Sequence, residues 1–76
     1  MGEIKNKELF SEIKSFSAIY VDDDGKIYEI GYQESFYTNI GYTEKFLNFV
    51  EIKGKRISEE NNSELWERIR AQLEGF

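Results

Sequence analysis

Residues 17–33 read SAIYVDDDGKIYEIGYQ and carry the strongest structural signal in the chain. Two segments that alternate apolar and polar residues flank an Asp-Gly pair, a sequence typical of a tight hairpin turn. If Asp24 and Gly25 form a two-residue loop, Ile19 lies opposite Ile30 and each face of the hairpin has a single character. The predicted apolar face holds Ile19, Val21, Tyr28, Ile30 and Tyr32, and the predicted exposed face holds Tyr20, Asp22, Ile27, Glu29 and Gln33.

The alternation of apolar and polar residues in this segment disfavours a register shifted by one residue. It would place Ile19 opposite Glu29, so that apolar and charged residues would be mixed on both faces of the hairpin. We therefore expect Tyr28 and Tyr32 to pack in the core, while Tyr20 lies on the exposed face together with the acids.

The segment before the hairpin has the spacing of an amphipathic helix. Its apolar residues recur at intervals that place them on one helical face, and Asn6 is suited to cap the helix N-terminus. The sequence therefore predicts a first helix over about residues 6–16, with Glu3 as its earliest start. The apolar positions of this face are Leu9, Phe10, Ile13 and Phe16.

The segment after the hairpin predicts a turn and a further strand. Residues 39–41, Asn-Ile-Gly, have turn composition, and an apolar segment runs from about Phe46 to Ile52. Gly54, between two lysines, is expected to end that strand. This third strand has one edge that no predicted strand covers.

The last part of the chain predicts a second helix. Ser58 is a candidate N-cap followed by two glutamates, and Asn62 is an alternative start. Glu64 and Arg68 are spaced as an i,i+4 ion pair on its exposed side, and Gly75 is suited to end the helix. Its apolar stripe consists of Leu65, Trp66, Ile69, Leu73 and Phe76.

These elements predict one α+β domain that spans residues 1–76. The order α-β-β-β-α gives a two-layer structure, in which a three-stranded antiparallel sheet is covered on one face by two helices. The other face of the sheet is left to solvent or to a partner.

Charge and tyrosine are concentrated in the middle of the chain. The net charge is −5, and residues 17–52 contain seven acids against two bases together with all five tyrosines. A nucleic-acid-binding protein normally shows a basic stripe, because counterion release from phosphates supplies much of its affinity. The charge balance therefore disfavours direct binding of nucleic acid.

The composition also disfavours catalysis. The chain lacks histidine and cysteine, and with them the usual general base near neutral pH, the activated thiol and the commonest zinc ligands. A calcium loop with Gly25 at its sixth position would place Tyr20 and Gly31 at the first and twelfth positions, which need oxygen ligands. We therefore expect a protein that is not an enzyme and has no cofactor and no metal.

The sequence shows no sign of membrane insertion or export. No apolar run approaches the roughly 18–20 residues that cross a bilayer, and no signal-peptide pattern opens the chain. We expect a cytoplasmic protein without a membrane partner.

The acidic, tyrosine-bearing segment predicts a non-catalytic protein-binding module. Tyrosine is favoured at interfaces because it offers a large contact area with few rotatable bonds, and carboxylates around it steer a basic partner. The predicted partner is a basic protein surface, and the module is a monomer or a homodimer. The candidate partner-binding residues are Tyr20, Asp22, Asp23, Asp24, Ile27, Glu29, Glu34, Tyr37, Tyr42 and Glu44.

One concrete version of this hypothesis is an inhibitor that mimics nucleic acid. Its carboxylates would replace phosphates and block a basic surface of a DNA- or RNA-processing protein. In size, charge and lack of catalytic groups the chain is similar to small inhibitors of phages and mobile elements, such as anti-CRISPR and anti-restriction proteins, without a shared motif.

Four alternatives remain, and the last of them is an enzyme that uses carboxylates alone, for which the sequence suggests no substrate. Acids and strand tyrosines serve solubility and sheet formation in many small domains that bind nothing. The strand edge between Phe46 and Ile52 could pair with a second copy about a two-fold axis. The third alternative is binding of single-stranded nucleic acid, with bases stacked on Tyr20, Tyr37 and Tyr42.

Overall fold

The computed structural model describes residues 2–11, 15–37 and 39–76, which form an antiparallel sheet of five strands and one helix. The strands are neighbours in the order in which they occur in the chain. None of the helical residues described forms a segment long and apolar enough to cross a membrane. The strands are β1 (Glu3–Ser11), β2 (Ser15–Val21), β3 (Ile27–Tyr37), β4 (Tyr42–Ile52) and β5 (Lys55–Arg56), and the helix is α1 (Ser63–Glu74).

The predicted architecture of three strands and two helices is wrong. In place of a helix over residues 6–16, β1 and β2 pair with each other, with Ile4 opposite Tyr20. Residues 12–14, which include Ile13, lie outside the described residues. A helix of that length has little stability alone, whereas pairing satisfies the backbone groups of two strands at once. Asn6 has a φ of 57° within β1, and the register shifts between Lys5 and Glu8. This irregularity breaks the strict alternation by which a strand is usually predicted.

The predicted register of the β2–β3 hairpin is also wrong. Tyr20 lies opposite Tyr28, and Ile19 lies opposite Glu29, which is the register shifted by one residue. The predicted directions of the β3 side chains are confirmed, because Tyr28, Ile30 and Tyr32 are buried. The β2 side chains point to the opposite faces from those predicted, since Ala18 and Tyr20 are the buried residues of that strand.

The turn explains the shift in register. The N–H of Gly25 donates to the carbonyl of Asp22 (2.9 Å), and the N–H of Asp22 donates to the carbonyl of Lys26 (2.9 Å). Gly25 has a φ of 86°. These are the features of a three-residue loop that ends in a left-handed glycine. One more loop residue than predicted displaces β2 by one residue along β3.

The turns and strands after β3 follow the sequence pattern more closely. The turn at 39–41 is confirmed, and β4 begins at Tyr42, four residues earlier than predicted. Asn48 is an extra residue in β4, because Gly31 pairs with Phe49 and Tyr32 pairs with Leu47. The predicted end of the strand near Gly54 is confirmed, although a two-residue turn at 53–54 leads into the short strand β5.

Helix α1 begins later than Ser58, at the alternative start. Asn62 is the N-cap, and its side-chain oxygen accepts a hydrogen bond from the N–H of Leu65 (3.2 Å). Ser58 instead accepts a hydrogen bond from Asn61 in the preceding turn. The apolar stripe is confirmed for Leu65, Trp66, Ile69 and Leu73, which are buried.

The core lies between α1 and one face of the sheet, called here the covered face. Aromatic residues make up much of it: Tyr20 and Tyr28 are cross-strand neighbours with ring centroids 6.1 Å apart, and Phe16 stacks on Tyr32 at 5.4 Å. The indole N–H of Trp66 donates to the carbonyl of Ile57 (2.9 Å). Each buried aromatic ring removes a large apolar area from water, which a domain of this size requires.

The C-terminal end of α1 is held by a cation from the sheet. The helix has no basic residue in its last turn, but the ammonium group of Lys45 donates to the main-chain oxygens of Leu73 (3.1 Å) and Phe76. A positive charge at this position complements the helix dipole.

A charged hydrogen-bond network joins α1 to the β2–β3 turn. Arg68 donates from Nη2 to Oδ2 of Asp22 (3.0 Å), and the hydroxyl of Tyr20 donates to Oδ1 (3.2 Å). Burial favours a higher pKa for the Asp22 carboxyl, but the N–H of Asp23 and the guanidinium of Arg68 outweigh it, so the pKa is lowered. The predicted Glu64–Arg68 pair is thus replaced by an ion pair across the core.

Two tyrosine hydroxyls predict opposite effects on stability. The Tyr32 hydroxyl is buried without a hydrogen-bond partner among the described residues, and burial, with a smaller effect of Glu34, raises its pKa to about 12. We expect Tyr32→Phe to raise the free energy of unfolding by about 1 kcal/mol, because it removes an unsatisfied polar group. Tyr20→Phe loses the hydrogen bond to Asp22 and should lower the free energy of unfolding by about 1 kcal/mol. Urea denaturation measures both, and a loss of stability in Tyr32→Phe would contradict the assignment.

Asp22 predicts a specific acid dependence of stability. Its lowered pKa means that the carboxylate stabilises the fold above the ordinary aspartate pKa of about 3.9, and that this stabilisation is lost as the pH falls through the folded-state pKa. We expect Asp22→Asn to lower the melting temperature at pH 7, with a difference from wild type that narrows below about pH 4. Circular dichroism melts between pH 2 and 7 test this, with exposed Glu60→Gln as the control. Equal pH profiles for wild type and Asp22→Asn would contradict it.

Candidate protein-binding surface

The face of the sheet opposite α1, called here the open face, is covered by none of the described elements. Alternation along β3 places Ile27, Glu29 and Gln33 on it, and the register adds side chains from the neighbouring strands. The open face therefore mixes carboxylates with apolar and aromatic groups. Its other members include Lys5, Ser17, Ile19, Tyr37, Tyr42, Glu44, Phe46, Phe49, Glu51 and Arg56.

Tyr20 is not part of this surface. The prediction that it is exposed is wrong, because its side chain is 0% exposed on the covered face. A Cβ at Gly2 would lie 2.4 Å from atoms of the Tyr20 ring, so the glycine backbone packs directly against it. The shifted hairpin register is the cause, and it brings Ile19 to the open face in place of Tyr20.

Two of the candidate acids are held by bases on the covered face. Asp22 is the partner of Arg68, with only 10% of its side chain exposed. Glu34 lies 3.5 Å from the ammonium group of Lys7. Their charges are thus largely compensated within the protein, and we leave both out of the candidate surface.

The exposed acids of the β2–β3 turn contribute to the turn itself. The carboxylate of Asp24 accepts a hydrogen bond from the N–H of Lys26 (3.1 Å), and aspartate is favoured in turns because of such bonds. Asp23 is exposed beside it. These two acids therefore lie at one end of the sheet, beyond the strands of the open face.

Tyr37, Tyr42 and Glu44 lie together at the other end of the sheet. Tyr37 and Tyr42 are directly paired across the β3–β4 hairpin, with ring centroids 6.4 Å apart. The Tyr37 hydroxyl donates to Oε2 of Glu44 (3.2 Å). This hydrogen bond, together with the nearby carboxylate charge, raises the pKa of Tyr37.

Sequence reasoning missed the apolar residues around these tyrosines. Ile40 is 74% exposed in the turn, and Phe36, which is 62% exposed, points to the opposite face of the sheet from Tyr37. With Tyr37 and Tyr42 they form what is called here the hairpin tip. Phe46 is also exposed, farther along β4. A signal was present: residues 35–43 contain no charged residue in a chain that is 33% charged.

Two carboxylates lie side by side at the centre of the open face. Glu29 and Glu51 are direct cross-strand neighbours on β3 and β4, an arrangement that is unfavourable by itself. Glu51 is compensated by Arg56, whose Nε is 2.8 Å from its Oε2. Among the described residues Glu29 has no ion-pair partner, which makes it available to an external cation.

Phe49 lies next to these carboxylates and covers Gly31. A Cβ at Gly31 would come within 2.0 Å of the Phe49 ring, so only glycine allows the ring to lie flat against β3. The guanidinium of Arg56 stacks on the same ring, 4.1 Å from its centroid. The half-buried ring therefore lies between Gly31 and Arg56 and already binds one cation.

The open face and hairpin tip offer the groups of a binding surface. Exposed apolar side chains that lie close together mark interaction sites in many soluble proteins, and aromatic residues often supply most of the binding energy. The described residues contain no group of three or more acids placed to hold a metal ion. A scan of protein-family models and searches of curated proteins and of solved structures returned no match to this chain.

The contact between Tyr37 and Glu44 predicts a measurable titration. Because a carboxylate that accepts the phenol proton favours the neutral phenol, we expect Glu44→Gln to lower the pKa of Tyr37 toward the ordinary value of about 10. NMR titration of the tyrosine ring signals checks this, with Glu74→Gln as the control. An unchanged Tyr37 pKa in Glu44→Gln would contradict the geometry of the tip.

Proposed function

We propose that the protein is a non-catalytic binding module whose open face and hairpin tip bind a basic protein surface. The observation that carries the proposal is the position of Tyr37 and Tyr42 beside Glu44, on the same face of the sheet as Glu29. Aromatic anchors supply contact area at such a surface. The carboxylates supply attraction to a basic partner and set its orientation.

The energetics of the free protein support this proposal. Exposed Ile40 and Phe46 lose their contact with water only when a partner covers them, and this burial favours association. Glu51 is already paired with Arg56, whereas Glu29 has no ion-pair partner among the described residues and would gain one from a basic partner. A basic partner with apolar contacts would therefore satisfy both features.

A nucleic-acid mimic is the concrete form of this proposal. Glu29 and Glu51 lie on neighbouring strands, which are about 4.8 Å apart. Because Arg56 already compensates Glu51, Glu29 is the carboxylate of this pair that a basic groove would accept in place of a phosphate. The target would be a DNA- or RNA-processing protein. A short DNA duplex should then compete with the module for its partner.

Self-association through the edge of β4 is less well supported. The carbonyl of Val50 accepts a hydrogen bond from the N–H of Ile57 (2.8 Å), and β5 pairs with Glu51 and Ile52. The rest of the edge carries adjacent charges at Glu44 and Lys45 and a bulge at Asn48, which are features that prevent edge pairing. Single-stranded nucleic acid is disfavoured by the Glu44 carboxylate beside Tyr37 and Tyr42, since it repels phosphates.

Affinity capture with matched variants tests the proposed function. Wild-type protein, Glu29→Lys and Tyr37→Ser are immobilised and exposed to the same cell lysate at 0.1 M salt, and bound proteins are quantified by mass spectrometry. We expect at least one protein to be retained by wild type and reduced about tenfold or more by both variants, consistent with a hot spot worth about 1.4 kcal/mol or more. Raising the salt to 1 M should release it, because the Debye length falls from about 10 Å to 3 Å.

Glu64→Lys is the control, because it changes the charge equally on the exposed side of α1. It should retain the same proteins as wild type. Equal loss in Glu64→Lys and Glu29→Lys would mean that net charge alone determines retention, and retention unchanged in 1 M salt would contradict the electrostatic part of the proposal. Failure of duplex DNA to displace the retained protein would overturn the mimic while leaving the binding module intact.

A further inference from the structure

A small groove lies at the centre of the open face. Its volume is about 290 Å³, slightly below the range of about 300–1,000 Å³ that is typical of small-molecule sites. Ala18 and Ile30 contribute backbone to its floor, since their side chains point to the covered face. The groove is therefore large enough to hold one long side chain of a partner protein. The side chains that line it belong to Asn6, Ser17, Ile19, Glu29 and Phe49.

The walls of the groove are suited to an aliphatic or aromatic stem. Ile19 is half-buried on one side, and Phe49 is half-buried on the other. The absence of a side chain at Gly31 keeps the Phe49 ring close to the sheet. A long side chain lying between Ile19 and Phe49 would contact apolar surface over much of its length.

The mouth of the groove is suited to a positive charge. Glu29 is exposed there, and Glu51 lies directly opposite on β4. Lys5 lies in the same cross-strand row as Glu29 but two strands away, so that their backbones are about 10 Å apart. Within the described part of the chain, the two residues do not form an ion pair with each other. A cation at the mouth of the groove would therefore pair with Glu29, since Glu51 already has Arg56 as its partner.

We propose that this groove binds an arginine side chain of the basic partner, an inference that rests on the proposed function. A guanidinium is planar and weakly hydrated, so it lies against apolar walls and pairs with carboxylates, whereas an ammonium is strongly hydrated. The protein contains the same combination in Arg56, which stacks on Phe49 and pairs with Glu51. Arg56 lies outside the groove and leaves Glu29 without a cation.

The test is a titration of isotope-labelled protein with single-residue probes, followed by amide NMR. N-acetyl-arginine N-methylamide should cause saturable shifts at Ser17, Ile19, Glu29 and Gly31. The citrulline analogue has nearly the same shape without the charge and should cause no saturable shift. The lysine analogue should bind more weakly than the arginine probe.

Substitutions separate the groove from general charge effects. Glu29→Gln should weaken the arginine probe about two- to fivefold, as expected for an exposed ion pair, whereas Glu64→Gln on α1 should leave its affinity unchanged. Ile19→Ser should weaken binding through the wall of the groove at constant charge. Because Ile19 is only half-buried, this variant remains informative about the groove if the NMR spectrum shows a folded protein.

Three outcomes would overturn the arginine site. These are equal shifts with citrulline, equal affinity for the lysine probe, and equal weakening by Glu29→Gln and Glu64→Gln. None of them affects the capture experiment with Tyr37→Ser, which tests the proposed function without the groove. Loss of the tyrosine effect together with a saturable arginine titration would instead contradict the proposed function and leave the groove as a guanidinium site.

Discussion

The register between β2 and β3 is the constraint on which the rest of the structure depends. It is set by a three-residue loop that ends at Gly25, whose φ of 86° is readily available to glycine. This loop places Tyr20 opposite Tyr28 on the covered face. A two-residue loop would displace β2 by one position and bring Ile19 into the core, where Gly2 now packs against a tyrosine ring.

The same register determines how the helix is attached. With Tyr20 inside, its hydroxyl reaches Asp22 at the start of the turn, and Arg68 of α1 reaches the other carboxylate oxygen. The acids at 22–24, which the sequence predicted to be surface residues, thus partly connect elements of the structure. Asp22 joins the hairpin to the helix, and Asp24 stabilises the turn through Lys26.

The register also creates the candidate surface. Ile19 is displaced to the open face, where it forms one wall of the groove beside Glu29. The opposite wall depends on Gly31, since any larger residue would displace the ring of Phe49. The binding properties of the open face therefore follow from the same loop geometry that fills the core.

Much of the local structure could be predicted from the sequence alone. The apolar stripe that includes Trp66 predicted α1 because it spans several helical turns. Alternation along β3 correctly placed Tyr28 and Glu29 on opposite faces of the sheet. Asparagine and glycine at 39–41 predicted the β3–β4 turn, because both residues are favoured in turns and Gly41 has a positive φ of 62°. These signals are local, so they do not depend on which segments meet.

The tertiary structure decided what these local signals could not. The segment around Phe16 has helical spacing, but a short helix is marginal alone, and pairing of β1 with β2 satisfies the same backbone groups within a continuous sheet. Loop length, which an Asp-Gly pair leaves open between two and three residues, selected Tyr20 for the core and Ile19 for the surface. The sequence by itself thus determined the elements near Trp66 and Tyr28 and the acidic character of the middle. Only the packed sheet decided which acids remain available, because ion pairs such as Asp22–Arg68 form between residues that are distant in the chain.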